Sequence, residues 1–374
     1  MKKFWRSKII LSAASVLTAG FSALYTYYYA ALPFNINVET GAPLTDAGFA
    51  NARLKETENG ARYYLGSIPI KSAEVTEQER RYVIPGGEPF GIKVMANGVM
   101  VISAADGSPA DKAGLREGDV ITSVNSVDVC TNDELAKAIQ TSSGSADIVF
   151  RRGEREMSVS IAPEQIDGCA KIGAWVRDSA AGIGTLTFID PETRTFGGLG
   201  HAVSDASTGE AVPLKSGEIS SAEIYDVVKG EKGCAGELCG AIIAGSDIGA
   251  VLENTPTGVF GEYCGEINKE PIPSAFRQEV KTGAATVLTT IDGGEPREYS
   301  IEIERINLPD LMGSKGMLIK MTDPELLDKT GGIVRGMSGS PIIQNGRLAG
   351  AVTHVLVSDP TRGYAVFAES MLDR

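Results

Sequence analysis

The chain has 374 residues, 43% of them apolar and 22% charged, which is long enough for two or three domains and too apolar for a disordered polymer. Its net charge is −13, and no basic patch follows the first ten residues, which argues against nucleic acid as a partner. Forty-four glycines favour many tight turns and short strands over long helices.

The N-terminus stands apart. "MKKFWRSK" carries Lys2, Lys3, Arg6 and Lys8, and no charge follows in residues 9–34. That length suits a membrane-spanning helix, and the basic flank predicts a cytoplasmic N-terminus with the remainder outside the cytoplasm. Tyr25, Tyr27, Tyr28 and Tyr29 fit an interfacial belt at the far side. A cleaved signal peptide is the rival reading. "SALY" and "YYAAL" are weak cleavage sites, so an uncleaved anchor over residues 1–34 is expected. Residues 35–88 read as strands around a polar segment, 46–59, which is either a spacer or a small subdomain.

Residues 89–165 alternate short strands with two helical pieces. "SPADKAGL" is a short helix stopped by Gly114, and residues 131–142 form a longer one with Thr131 and Glu134 spaced as a capping box. The run "SPADKAGLREGDVITSVNSVDV" resembles the "SPAxxAGLxxGDxIxxVNG" pattern of PDZ domains of the bacterial protease-associated type, with Ser126 replacing the last glycine. The resemblance implies an α+β domain that takes a peptide tail as an added strand beside residues 92–94. The amides around Phe90, Gly91 and Ile92 would then meet the terminal carboxylate. The alternative is a domain that only packs on its neighbour, since augmentation needs an open edge.

Residues 171–374 are strand-rich. "GIGTLTFID", "EISSAEIYDVV", "AATVLTTI", "REYSIEIERI", "GMLIKM", "SPIIQ", "AGAVTHVLV" and "GYAVFA" are short, β-branched and separated by turn residues, the pattern of barrels or a sandwich. Of the five cysteines, Cys234 and Cys239 in "GCAGELCG" either close a small loop disulfide or stay free thiols. Their spacing is too long for a zinc knuckle and neither histidine is near, so no metal site is expected.

A hydroxyl becomes a useful nucleophile when a base takes its proton and fixed donors receive the oxyanion. "RGMSGSP" fits: Ser338 sits between Gly336 and Gly339, and the amides of Gly336 and Ser338 are the expected oxyanion donors. A plain hairpin turn is the bland reading of the same residues, and Ser340 is the neighbouring hydroxyl. Only two histidines exist. His201, in the glycine-wrapped loop "FGGLGHAVSD", is the expected base, because catalytic groups favour loops on a rigid scaffold. His354, in the alternating strand "GAVTHVLV", is a sheet-face residue or a wall of the substrate pocket. Asp323, before a proline, leads as the acid that orients the base, with Asp205 and Asp247 as alternatives; Asp-Pro pairs also start turns.

Three blocks carry a wider resemblance: "VIPGGEPFGIKVMANGVMVI", "IGAWVRDSAAGIGTLTFIDPETRTFGGLGHAVSD" and "GIVRGMSGSPIIQNGRLAGAVTHVLVSDPTRGYAVF". Together they resemble the stage IV sporulation protein B peptidase family, from the anchor through the PDZ unit to the C-terminus. The resemblance implies a mainly β chain: a transmembrane helix, a PDZ domain at 89–165 and a chymotrypsin-like double β-barrel serine peptidase at 171–374. It implies His201 as base, Asp323 as acid and Ser338 as nucleophile, in the chain order of that class, and no cofactor. An acid so close before the serine departs from ordinary members of the class. It further implies a peptidase in the space between forespore membranes that cuts the extracytoplasmic part of a membrane regulator. That cut frees an intramembrane protease to activate a sigma factor. Self-cleavage near the N-terminus is implied as well, and the polar segment 46–59 is its expected place. A PDZ adaptor whose barrel no longer cuts is the competing function.

Overall fold

The computed structural model describes residues 2–42, 48–49, 51–57, 60–311 and 313–373. It begins with a helix, Lys2–Ala31. Among the described residues no helix is long and apolar enough to cross a membrane. Of the four tyrosines expected as a belt, Tyr27 and Tyr29 are exposed, and the other two face the protein. Tyr28 and Leu32 are buried against the body of the protein, and the Tyr25 hydroxyl donates to the Ile70 carbonyl at 3.0 Å.

Residues 35–78 build a five-stranded sheet in the order Asn35–Glu39, Ile68–Gln78, Gly60–Leu65, Ala52–Thr57, Gly48–Phe49. The segment expected as a spacer or self-cleavage tip lies partly outside the described residues. Its described part includes the strand Ala52–Thr57, with Ala52 and Leu54 buried, so it is sheet rather than an open tip. The core of this sheet is continuous with that of the C-terminal barrel. Arg80 ties the two together: its guanidinium donates to Glu39, Glu279 and the Ser274 carbonyl. A second buried pair, Arg277 with Glu369, closes the same end at 2.6 Å.

Two long strands, Pro89–Ala104 and Ala174–Ile189, organise everything that follows. They pair antiparallel from Pro89 against Thr185 to Ala104 against Ala174, with bulges at Trp175/Val176 and Arg177/Ser179. Bulges bend a strand and increase its twist, so one pair of strands can serve two bodies. One half of the pair joins Leu214–Val228, Glu237–Thr255, Gly258–Tyr263 and Thr195–Gly198 in a ring of six strands. The other half belongs to the PDZ unit, whose core contains Val99, Val101, Leu115, Ile121, Ile148 and Ile172. Each such buried aliphatic side chain contributes about 1.5–3 kcal/mol before entropy is counted. Residues 105–173 are thus inserted between two strands of a barrel, and a second barrel follows: Gly283–Thr289, Arg297–Ile306, Met317–Met321, Arg362–Phe367, Arg347–Val355 and Pro341–Gln344 close on themselves.

The PDZ motifs form for identifiable reasons. Asp119 is buried, accepting from Arg152 Nε and Nη2 at 2.7 Å each and from the Arg116 amide at 2.8 Å, which explains the acidic residue after Gly118. Helix Asn132–Gln140 starts in the expected capping box of Thr131 and Glu134.

The expected tail-binding residues need correction. Phe90 and Ile92 are buried, and Gly91 pairs with Ile183 on one side and Ser220 on the other. A Cβ on Gly91 would stand 2.4 Å from the Ile242 side chain. Phe90, Gly91 and Ile92 are interior barrel strand with both edges used, and no peptide can add there. The barrel likewise begins at Pro89 rather than at residue 171, and the PDZ core draws in residues beyond 165.

Candidate active site

The serine turn is built where the two barrels meet. Gly336 and Gly339 both have φ near +95°, a conformation that β-carbons disfavour. At Gly339 a Cβ would fall 2.0 Å from the Thr185 carbonyl, so only glycine lets the turn lie on strand Ala174–Ile189. That strand grips the turn through buried threonines. The Thr185 amide donates to the Ser338 carbonyl at 2.9 Å, its hydroxyl to the Gly336 carbonyl at 2.8 Å, and the Thr187 hydroxyl to the Gly339 carbonyl at 2.7 Å. From the other side the Gly339 amide donates to the Val352 carbonyl at 2.8 Å. The amides of Met337, Gly339 and Ser340 are all used inside the protein; among the described residues those of Gly336 and Ser338 have no acceptor. These are the two expected oxyanion donors.

Ser338 is half-buried, and its hydroxyl donates to the Thr353 carbonyl at 2.9 Å. Ser340 is fully buried and donates to the Thr289 hydroxyl, so it is interior structure.

His201 reaches this place through Thr185 as well. The turn after Thr195–Gly198 carries Leu199 at φ 65° and Gly200 at φ 69°; the Leu199 amide donates to the Thr185 carbonyl at 3.3 Å. A Cβ on Gly200 would come within 2.8 Å of the Thr353 side chain. The histidine loop and the serine turn therefore rest on the same two residues, Thr185 and Thr353. The His201 and His354 rings lie 5.2 Å apart at 41°. His201 Nδ1 lies 2.8 Å from the Ala202 carbonyl. A carbonyl only accepts, so the proton sits on Nδ1 and Nε2 keeps its lone pair.

Burial holds the His201 pKa below the usual imidazole value, against the hydrogen bond to Ala202. His354 is pushed down to about 4 by burial first, then by the charges of His201 and Lys315. Both rings are neutral near pH 7, the form a general base needs. His354 Nδ1 is buried and has no hydrogen-bond partner among the described residues.

Asp323 is not brought into this group. Its Oδ1 accepts from the amides of Glu325 and Leu326 at 3.0 and 3.2 Å, and its Oδ2 from the Ser300 amide at 3.2 Å. It is the N-cap of helix Pro324–Thr330, where Asp followed by Pro is a strong start signal, and it makes no hydrogen bond to a histidine. The alternatives are also engaged elsewhere. Asp205 is buried with Arg177 and the amides of Ser207 and Thr208, and Asp247 accepts from the Ser220 hydroxyl. Where an orienting acid was expected, the partner of His201 Nδ1 is the Ala202 main-chain carbonyl. Thr185, Thr187, Ala202 and Thr353 escaped the sequence reading. The one signal for them was "GTLTF", two hydroxyls alternating with apolar residues on one strand.

All five cysteines are free, Cys234 and Cys239 included. A cavity of about 610 Å³, lined by residues 84–86, 88–90, 221–224 and 292–296 among others, includes neither Ser338 nor a histidine.

A family model described as SpoIVB peptidase S55 matches residues 168–372, and a PDZ domain model matches residues 100–152. Serine protease HTRA1 of Xenopus laevis is 32% identical over 71 residues, 19% of this chain and 15% of the relative. Mitochondrial serine protease HTRA2 of Drosophila erecta is 36% identical over 70 residues, 19% of this chain and 17% of the relative. The chain thus spans less than a fifth of the length of these relatives. Among solved structures, the PDZ domain of an SdrC-like protein from Listeria monocytogenes covers 22% of this chain and 90% of its own, at 26% identity and TM-score 0.21. The inactive form of the Rv3671c protease covers 51% and 81%, at 16% identity and TM-score 0.32. Because the S55 model takes in residues 168–372 of 374, more than half, the chain belongs to the SpoIVB peptidase S55 family, and a PDZ domain lies within it.

Proposed function

We propose that this peptidase cuts protein or peptide chains with Ser338 as nucleophile and His201 as base. The observation that carries the reading is the double use of Thr185, whose carbonyl takes the Leu199 amide while its amide takes the Ser338 carbonyl. In the proposed reaction the Ser338 hydroxyl turns from the Thr353 carbonyl, a loss of about 1 kcal/mol, and gives its proton to His201 Nε2. The oxygen attacks the scissile carbonyl, and the oxyanion takes hydrogen bonds from the amides of Gly336 and Ser338. Collapse breaks the C–N bond and the amine leaves with the proton from His201. Water then releases the acyl group by the same route. The Ala202 carbonyl holds the Nδ1 proton throughout and so fixes the tautomer.

The same proposal extends to biology. The enzyme acts in sporulation signalling, outside the cytoplasm between the forespore membranes, attached to a membrane through its N-terminal segment. It cuts itself near the N-terminus and cuts a membrane regulator, which leads to sigma-factor activation. The family membership and the basic tip followed by 26 uncharged residues (9–34) support this reading.

A second reading, a PDZ adaptor that binds without cutting, draws on two observations: the resting Ser338 hydroxyl is bonded to a carbonyl, and among the described residues no carboxylate is hydrogen-bonded to either histidine. A fluorophosphonate probe separates the two. Under the proposal it labels the wild-type chain and Ser340→Ala, and Ser338→Ala is unlabelled. Equal labelling of Ser338→Ala, or no labelling of the folded wild type, would overturn it.

A further inference from the structure

The chain has two histidines, far apart in sequence, and the fold brings them together: the rings of His201 and His354 stand 5.2 Å apart, centre to centre. Two imidazoles that share one tetrahedral zinc ion, each at about 2.0–2.1 Å, hold their ring centres about 5 Å apart. Both residues are half-buried, so solvent reaches the pair. Each ring also has a nitrogen to give. His201 commits Nδ1 to the Ala202 carbonyl and keeps the Nε2 lone pair. A ring N–H set on a main-chain carbonyl is the support metal-binding histidines ordinarily have, because it fixes the tautomer and raises the basicity of the other nitrogen. His354 forms no hydrogen bond through either ring nitrogen among the described residues, and its Nδ1 is buried. A buried polar group left unpaired costs about 1–3 kcal/mol, which a ligand on that ring would offset.

The spacing of the rings is built into the fold. His354 follows a bulge on strand Arg347–Val355: Val352 pairs with Ala365 and His354 with Tyr364, and Thr353 between them has no partner in the ladder. A bulge re-aims the side chains beside it. The same Thr353 packs under the Gly200 turn that carries His201 and accepts the Ser338 hydroxyl. Among the described residues no group of three or more His, Cys, Asp or Glu side chains is placed to hold a metal, so water completes the shell around an ion on this pair. Imidazole and water suit zinc, nickel and cobalt; magnesium and calcium take oxygen ligands. Lys315 opposes a second positive charge: its Nζ lies 5.6 Å from the centre of the Tyr364 ring, beside His354. With two protein ligands and that repulsion, affinity is on the order of micromolar.

We infer that His201 and His354 together bind one transition-metal ion of the zinc class, and that the bound ion silences Ser338 by occupying the His201 Nε2 lone pair that would accept its proton. The second half of the inference rests on the proposed roles of His201 and Ser338; the first half does not.

Cobalt(II) is the optical probe for the site, added to the full-length chain after treatment with a chelator. It should give the visible absorption of an ion bound by nitrogen and oxygen, at one ion per chain, without the near-ultraviolet charge-transfer bands that any of the five free cysteines would add. His354→Asn and His201→Gln should each lose the visible band while far-ultraviolet dichroism stays that of the wild type. Absence of the band in wild type, or its survival in either variant, overturns the site. Zinc chloride at about 0.1 mM should slow fluorophosphonate labelling of Ser338 at least about tenfold, and a chelator should restore it. Magnesium at about 1 mM should leave the rate unchanged. In His354→Asn, whatever its own rate, zinc should change labelling by less than about twofold. Equal slowing by zinc in wild type and His354→Asn, or a histidine-dependent cobalt band with labelling untouched by zinc, overturns the link alone. A chain that binds cobalt through both histidines but is never labelled overturns the peptidase assignment and leaves the metal site standing.

Discussion

Two turns of the second barrel lie fifteen residues apart in the chain, and both carried a candidate catalytic side chain. At the serine turn, the Thr185 and Thr187 hydroxyls and the Thr185 amide fill the carbonyls of Gly336, Gly339 and Ser338, and among the described residues the amides of Gly336 and Ser338 have no acceptor. At the aspartate turn the reverse holds: three main-chain amides fill the Asp323 carboxylate, and a helix depends on it. The difference lies in what the main chain supplies. A carboxylate whose oxygens are filled by main-chain amides is fixed as a helix cap, whereas a hydroxyl beside amides without acceptors can meet a developing oxyanion once it turns from its one carbonyl partner.

The comparison can be broken most severely at Gly339. Gly339→Ala forces a Cβ into the Thr185 carbonyl, so probe labelling should fall by about a hundredfold or more while far-ultraviolet dichroism stays that of the wild type. Normal labelling would mean that the turn is not held as described. Next comes Asp323. Asn keeps an oxygen for the cap amides but loses the acceptor that faces the Ser300 amide, so Asp323→Asn should lower stability by about 1 kcal/mol while cleavage by the folded chain stays within about twofold, whereas a triad acid would lose about 10⁴-fold on the same change. Asp323→Ala should cost about 1 kcal/mol in a denaturation midpoint.

The smallest effect concerns pH. His354 has its folded pKa lowered from 6.5 to about 4, so between those values the unfolded chain binds a proton that the folded chain refuses. Stability therefore rises with pH across that window and is lost as pH falls through it. His354→Asn should flatten this slope, which urea titrations at pH 4.5 and 7 would detect. An unchanged slope would place the titration elsewhere.

Much of this was readable in the sequence because it is local. The capping box of Thr131 and Glu134, and the positive-φ turn that Gly336 and Gly339 make around Ser338, are written within a few residues of chain. The rest depends on partners far away in the chain. Thr185 meets Gly336 from 151 residues upstream, and nothing beside either residue announces it. Gly91 reads as the mouth of a peptide groove until Ser220 closes its second edge. Edge occupancy is a property of the assembled sheet, so a motif can identify a PDZ unit without showing which of its strand edges is open.

The central claim is that His201, and no carboxylate, activates Ser338. The second-order rate of fluorophosphonate labelling, measured side by side for wild type, His201→Gln and Asp323→Asn, tests it most directly. The account predicts a fall of about 10³-fold or more for His201→Gln and none for Asp323→Asn. A His201→Gln chain that labels at the wild-type rate, or an Asp323→Asn chain that falls as far as His201→Gln, would contradict it.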